Sequence, residues 1–148
     1  MREKLAMIVE LKTQEMLENF GWKLGKSLKG NELIGLKGPL GAGKTTLTKA
    51  IALALNVKEN IISPTFNIIK VYDSPLAPLY HIDCYRLENM GYDPILDDYI
   101  FDENAIRIIE WYNFLNDDEL FKNAIKIEIS VKEDNTRVLN IEGDICID

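Results

Sequence analysis

Residues 38–45 have the sequence GPLGAGKT, and more than any other part of the chain they determine its architecture. They fit the pattern of a phosphate-binding loop, in which a glycine and any four residues precede Gly-Lys and then Ser or Thr. Glycines let the main chain approach a ligand closely, so that several N–H groups converge on phosphate oxygens. Lys44 would reach the terminal phosphates, and the hydroxyl of Thr45 would face Mg²⁺. The motif therefore predicts a bound nucleoside triphosphate.

The sequence on either side of this loop supports the prediction. Residues 32–37 are short and apolar, which is typical of a buried strand, and apolar residues recur at helical spacing from Lys44 to Leu55. A strand that turns through glycines into a helix is the context that a phosphate-binding loop requires. The alternative, a glycine-rich turn with an incidental lysine, has less support from these neighbours.

Strand and helix patterns alternate along the rest of the chain. Thr13 is a candidate N-cap of a first helix, whose apolar stripe extends from Leu17 to Leu28. Five further segments have the β-rich pattern of strands: residues 66–72, 79–83, 106–111, 124–131 and 137–141. Turn residues between the first two, and between the last two, predict antiparallel hairpins. We therefore expect one α/β domain over residues 1–148, with a central sheet of mixed direction flanked by helices.

Composition and charge exclude several classes of protein. Seventeen basic against 24 acidic side chains give a formal charge of −7, which disfavours independent binding to nucleic acid because phosphate neutralisation needs clustered Lys and Arg. The two cysteines, Cys84 and Cys146, are too few for a disulfide scaffold or a Cys-rich zinc site. The apolar run from Leu5 to Val9 stops at Glu10, too early for a signal peptide or a membrane helix. We expect a cytoplasmic protein without membrane contact.

Several polar positions outside the loop are candidates for chemistry. Asp83 follows a predicted strand, where it could hold Mg²⁺ or orient water, although an aspartate there is often only a cap or turn residue. Glu110 ends an apolar strand, an unfavourable place for a carboxylate unless it is paired or metal-bound. Thr65, in the sequence SPTF at residues 63–66, could sense a γ-phosphate or could belong to a plain turn. His81, the only histidine in the sequence, is expected to be a packed structural residue rather than a base.

Four short motifs follow one another along the chain: GAGKTT at residues 41–46, SPTF at 63–66, HIDCYRL at 81–87 and IEW at 109–111. Together they resemble the TsaE family of small bacterial ATPases, which are needed to make threonylcarbamoyladenosine in tRNA. The resemblance implies a three-layer, P-loop NTPase-type α/β fold and ATP hydrolysis that is slow in isolation. It also implies that this hydrolysis supports turnover of a complex with two partners, TsaB and TsaD, which transfer the threonylcarbamoyl group and make most of the tRNA contacts.

The resemblance implies roles for individual residues as well. Thr45, Glu110 and Asp83 would hold Mg²⁺, with Asp83 as the Walker-B-type acid. Lys44 and Thr65 would face the γ-phosphate, and Trp111 would brace this region. The residues that would bind the nucleotide are Thr13, Leu40, Gly41, Ala42, Gly43, Lys44, Thr45, Thr46 and Arg137. Whether Asp83 or Glu110 activates the attacking water stays open.

Two other functions share a phosphate-binding loop, which alone does not distinguish them. A small-molecule kinase usually shields the transferred phosphoryl group with several Arg or Lys side chains. The four arginines of this chain, Arg2, Arg86, Arg107 and Arg137, form no Arg-rich lid pattern, which disfavours a kinase. A non-catalytic module, whose nucleotide state sets its affinity for a partner, is the second alternative.

Overall fold

A seven-stranded sheet with helices on both faces is formed by the residues that the computed structural model describes, 5–61 and 68–145. The strands are β1 (Leu5–Leu11), β2 (Leu33–Lys37), β3 (Ile69–Tyr72), β4 (Leu79–Asp83), β5 (Ile106–Glu110), β6 (Ile125–Val131) and β7 (Arg137–Gly143). The helices are α1 (Gln14–Ser27), α2 (Lys44–Ala54), α3 (Leu87–Met90) and α4 (Asp97–Ile100), with 3₁₀ turns at Pro94–Leu96 and Tyr112–Leu115. Within these two ranges, no helix combines the length and apolarity that a membrane span requires.

The sheet has mixed direction, as the sequence predicts. Its strand order is β1-β7-β6-β2-β5-β4-β3. The four central strands β6, β2, β5 and β4 are mutually parallel, and the β3–β4 and β6–β7 pairs are the two predicted antiparallel hairpins. All five residues of β5 are buried, which is expected of a parallel strand covered on both faces.

Strand β1 was not among the predicted strands. It pairs antiparallel with β7, from Leu5 opposite Gly143 to Leu11 opposite Arg137. Because its partner lies at the other end of the domain, the short apolar run at residues 5–9 carries no local signal for this pairing. The predicted strand at 66–72 is described from Ile69 onward, and residues 66 and 67 lie outside the described ranges.

Helices α1 and α2 cover one face of the sheet and pack closely against each other. The hydroxyl of Thr13 accepts a hydrogen bond from the Met16 amide at 3.1 Å, so the predicted N-cap of α1 is confirmed. A β-carbon added to Gly21 would lie 2.6 Å from the Ala50 β-carbon, a distance that real side chains do not reach. The glycine therefore lets the two helices approach nearly to backbone contact.

Two apolar clusters lie on opposite faces of the sheet, and strand β2 contributes to both. Ile34 and Leu36 belong to the cluster under α1 and α2. Leu33 belongs to the other cluster, together with residues of α3, α4 and the 3₁₀ turn at 94–96. Because successive side chains of a strand point to opposite faces, this division gives three layers: two long helices, the sheet, and a layer of short helices.

Candidate nucleotide-binding site

The phosphate-binding loop joins the end of β2 to the beginning of α2. Gly43 is the N-cap of α2 in the left-handed region, with φ +116°, and no side chain of the described chain caps this helix end. The first intrahelical bond runs from the Leu47 amide to the Gly43 carbonyl, at 2.9 Å. The N–H groups of the first turn therefore point out of the helix without partners inside it, as anion binding requires.

Close packing from three other elements holds the loop in shape. A β-carbon on Gly38 would lie 2.4 Å from the Ile129 carbonyl oxygen of β6, and one on Gly43 would lie 2.8 Å from a methyl of Leu17 in α1. Arg137, the first residue of β7, donates from Nε to the Ala42 carbonyl at 3.1 Å. Glycine is thus required at position 38 by a backbone contact and at position 43 by the left-handed backbone with φ +116°.

Lys44 lies at the centre of the site and is only 5% exposed. Its ammonium donates to the carbonyls of Gly38, at 2.5 Å, and Pro39, at 3.0 Å, and lies 4.6 Å from the centre of the Trp111 ring. Burial lowers the pKa of Lys44, and the negative charges of Glu110 and Asp83 oppose that shift. Both strand-end carboxylates therefore act directly on the lysine of the loop.

Asp83 and Glu110 are neighbours because they end two adjacent parallel strands. They are register partners in the β4–β5 pair, and β5 is also next to β2, which leads into the loop. In parallel sheets, ligands bind at this carboxyl end of the strands. Asp83 is also a turn residue, which was the alternative interpretation of its position, because its Oδ1 accepts a hydrogen bond from the Tyr85 amide at 2.9 Å. Burial raises the pKa of Asp83; the Tyr85 N–H lowers it and Glu110 raises it.

Glu110 forms a buried pair that the sequence does not reveal. Glu110 is only 3% exposed, and its Oε2 lies 2.5 Å from Nε2 of the fully buried His81. His81 is therefore packed, as predicted. Strand register is the signal that could have revealed this pair. Asp83 is the register partner of Glu110, and His81 is two residues before Asp83, so His81 lies diagonally across from Glu110 on the neighbouring strand.

An aromatic cluster, also absent from the sequence predictions as a unit, borders Lys44. Trp111 has φ 57°, an unusual conformation for a bulky residue, and stacks on Phe114 with ring centres 5.3 Å apart. Tyr85 packs against Trp111 at 5.2 Å. The Trp111 amide donates to the Leu36 carbonyl at 2.8 Å, which ties the cluster to β2.

The structure describes most, but not all, of the remaining predicted site residues. Thr13 is the N-cap of α1, and Leu17 of that helix approaches Gly43 of the loop. Arg137 lies in β7, where it is the register partner of Leu11, and it donates to the Ala42 carbonyl of the loop. Thr13 and Arg137 therefore both belong to elements that contact the loop. Thr65 lies outside the described residues. Other predicted nucleotide contacts are within the loop and the first turn of α2: Leu40, Gly41, Ala42, Gly43, Lys44, Thr45 and Thr46.

The donor set fits magnesium bound together with a nucleotide. Among the described residues, no three His, Cys, Asp or Glu side chains are grouped to hold a metal ion by themselves. In nucleotide sites Mg²⁺ uses one or two carboxylates together with phosphate oxygens and waters, rather than a cage of protein ligands. Thr45, in the first turn of α2, and the carboxylates of Asp83 and Glu110 beside Lys44 meet that requirement.

Comparison with known proteins identifies a family. The sequence profile of the family described as "Threonylcarbamoyl adenosine biosynthesis protein TsaE" matches residues 11–139. The tRNA threonylcarbamoyladenosine biosynthesis protein TsaE of Bacillus subtilis is 38% identical over 109 residues, which cover 74% of this chain and 68% of that protein. The protein of the same name from Aquifex aeolicus is 35% identical over 136 residues, covering 90% and 93% of the two chains.

A solved structure shares the fold. The crystal structure of YdiB from Bacillus subtilis superposes with a TM-score of 0.78 and 26% identity, covering 97% of this chain and 88% of that one. Because the family profile matches most of the chain and the Aquifex aeolicus relative is matched over 93% of its length, this chain belongs to the TsaE family.

Proposed function

We propose that this protein binds ATP with Mg²⁺ and hydrolyses it in support of tRNA threonylcarbamoyladenosine formation. The observation that carries the proposal is the convergence of three parts: uncapped amides at the start of α2, the buried ammonium of Lys44, and the paired strand ends at Asp83 and Glu110. The curated relatives carry this pathway in their names, which supports the assignment of the site to it.

Each residue of the site has a distinct task in the proposal. The amides of the loop and of Thr45 and Thr46 would bind the phosphates, and Lys44 would balance the charge on the terminal one. Thr45, Asp83 and Glu110 would hold Mg²⁺, which supplies charge neutralisation on the β- and γ-phosphate oxygens. One of the two carboxylates would also orient the attacking water.

The periphery of the nucleotide is assigned to residues around the loop. Thr13 and Arg137 would border the nucleoside, and the Arg137 bond to the Ala42 carbonyl already couples this edge to the loop. Leu40 is 76% exposed at the tip of the loop, where a ligand or a partner would cover it in the proposal. Thr65 would sense the γ-phosphate.

The partners in the proposal are TsaB and TsaD, and hydrolysis would be slow without them. The formal charge of −7 disfavours a tRNA site on this chain, because binding to phosphate backbones requires clustered cations. The proposal therefore gives the tRNA contacts mainly to the partners.

The test compares wild type with Lys44→Ala in two assays: calorimetric binding of ATP with Mg²⁺, and ATP hydrolysis with and without TsaB and TsaD. We expect weak basal hydrolysis that rises with the partners, and loss of nearly all of it in Lys44→Ala. Lys49→Ala is the matched control, because Lys49 is an exposed lysine of the same helix.

Two results would contradict the proposal. Unchanged hydrolysis in Lys44→Ala would reject the site. ATP-dependent docking to the partners without stimulated hydrolysis would show a non-catalytic binding module instead.

A further inference from the structure

We infer that His81 is a positioning residue, whose hydrogen bond to Glu110 fixes the orientation in which that carboxylate meets the divalent metal. The inference rests on the proposed function, since it concerns the metal side of the same site. His81 would not touch the nucleotide or the reacting atoms itself; it would act through Glu110.

The first argument is that, within residues 5–61 and 68–145, the hydrogen-bond partner of His81 is Glu110. The imidazole is fully buried, and its Nε2 is 2.5 Å from Oε2 of Glu110. Its Nδ1 has no hydrogen-bond partner among the described residues. A buried polar ring with an unpartnered atom is unfavourable, and an apolar residue of similar size would fill the space without that penalty. Packing alone would not require a histidine here, and the contact to Glu110 is what an apolar residue could not supply.

The second argument is what this contact does to a carboxylate. The terminal torsion of a glutamate is broad, so an untethered carboxylate samples many orientations. A carboxylate is an acceptor, so His81 donates from Nε2 and holds Oε2 in place. The contact occupies Oε2, so in the proposed function Oε1 is the oxygen that would meet the metal. Hydrogen bonds of this kind orient metal ligands, and their loss typically reduces metal affinity about 10- to 100-fold.

The third argument is the contrast with the neighbouring carboxylate. Asp83 is held by a different contact, the Tyr85 amide on Oδ1 at 2.9 Å, and it is more exposed than Glu110. Loss of the His81 ring would therefore release Glu110 and leave the hydrogen bond of Asp83 intact. This gives the inference a specific signature: metal binding should suffer while the rest of the nucleotide site does not.

Mn²⁺ is titrated into the ADP complex, and its binding is monitored by electron paramagnetic resonance. The affinity for a fluorescent ADP analogue is measured separately, once with Mg²⁺ and once with EDTA. His81→Leu should weaken Mn²⁺ binding about 10- to 100-fold and leave metal-free nucleotide affinity unchanged. His81→Gln should recover most of the metal affinity, because its amide nitrogen can donate from the position of Nε2. Tyr80→Phe, at the preceding position of β4, is the matched control and should leave both affinities unchanged.

A double-mutant cycle makes the assignment specific to Glu110. In a Glu110→Gln background, His81→Leu should cause little further loss of Mn²⁺ affinity, because the tethered oxygen is already altered. If His81→Leu does not fold, His81→Asn takes its place, since asparagine keeps the polarity but is too short to reach Glu110.

Three outcomes would overturn the inference: wild-type Mn²⁺ affinity in His81→Leu, an equal loss of nucleotide affinity with and without metal, or additive losses in the cycle. Failure of the proposed function is a different result, because wild type would then bind neither Mn²⁺ with ADP nor ATP with Mg²⁺.

Discussion

Helices α1 and α2 cover one face of the sheet by close apolar packing, whereas the opposite face is covered by short segments that polar contacts tie down. On the first face, Gly25 approaches so closely that an added β-carbon would lie 2.7 Å from the Ala54 β-carbon. On the second face, Arg107 donates to the carbonyls of Ile100, at 2.6 Å, and Asn31, at 2.7 Å. The first face is held by close packing of two long helices, and the second adds individual hydrogen bonds to its apolar cluster.

This difference corresponds to a division of labour in the site. The long-helix face provides the loop and the first turn of α2, which bind phosphate in the proposed function. The short-helix face contributes the aromatic cluster of Tyr85, Trp111 and Phe114, whose Trp111 ring lies beside Lys44. Elements that move during function are usually drawn from the less stable part of a fold. We therefore expect the loop to be the fixed part of the site and the aromatic rim to be the adjustable part.

The largest expected effect is a difference in hydrogen exchange between the two faces. The hydrogen-bonded amides in the interior of α1 and α2 should exchange only through global unfolding, whereas those of α3 and α4, helices of four residues each, should exchange through local opening. We expect protection factors to differ about a thousandfold, or about 4 kcal/mol, between the faces. Native-state exchange followed by mass spectrometry measures this directly, and equal protection would refute the contrast.

The next effect concerns the contact between α1 and α2. Gly25→Val should lower the free energy of unfolding by about 3 kcal/mol, because the side chain would be forced against the backbone of Ile51 and the methyl of Ala54. Lys23→Val is the control: Lys23 is an exposed residue of the same helix, so only the lower helix propensity of valine, about 0.5 kcal/mol, is expected. Urea denaturation measures both. An equal effect of the two substitutions would show that the helix contact is not tight.

Removal of the arginine tie should act on the other face. Arg107→Met should cost about 2 kcal/mol, since it removes two hydrogen bonds from a charged donor but also relieves the burial of the charge. Hydrogen exchange should increase around α4 and leave α1 and α2 protected. Arg107→Lys, which can reach one carbonyl at a time, should have a smaller effect. Loss of protection spread evenly over both faces would contradict the local role of Arg107.

The smallest expected effect is at Tyr80, whose hydroxyl donates to Asp102 at 2.7 Å. Tyr80→Phe should cost about 1 kcal/mol at neutral pH. The bond to Asp102 raises the pKa of Tyr80 from 10.0 to about 12. Because the folded-state pKa is raised, this stabilisation is fully present below the unfolded pKa and is lost as the pH rises through the folded one.

The measurement for Tyr80 is therefore the difference in unfolding free energy between wild type and Tyr80→Phe. It should shrink when the pH is increased from about 9 to about 12. A difference that stays constant over that range would show that the hydroxyl contributes nothing through its bond to Asp102.

The elements that could be predicted from sequence are those with a local pattern. The cap at Thr13, the apolar stripe of α1 and the turns of the two hairpins are all encoded within a few residues, and the structure confirms them. Strand β1 could not be predicted, because it exists through its pairing with β7. The short helices α3 and α4 could not be predicted either, since helices of four residues have no measurable periodicity.

The site divides in the same way. The phosphate-binding loop and the two strand-end carboxylates could be located from spacing and position. The pairing of His81 with Glu110 depends on β4 and β5 being adjacent and in one specific register, which no local pattern specifies. The stacking of Trp111 on Phe114 likewise depends on the left-handed backbone at Trp111.

The bracing of the phosphate-binding loop by the β6–β7 hairpin bears on how the protein matures. The Arg137 contact to Ala42 spans 95 positions of sequence, and Ile129 of the same hairpin packs on Gly38. During synthesis, α1, β2 and α2 leave the ribosome well before either strand of that hairpin. A nascent chain would therefore contain every residue of the loop before the contacts that hold its shape have formed. We expect ATP binding to develop late in folding, after the β6–β7 hairpin has docked.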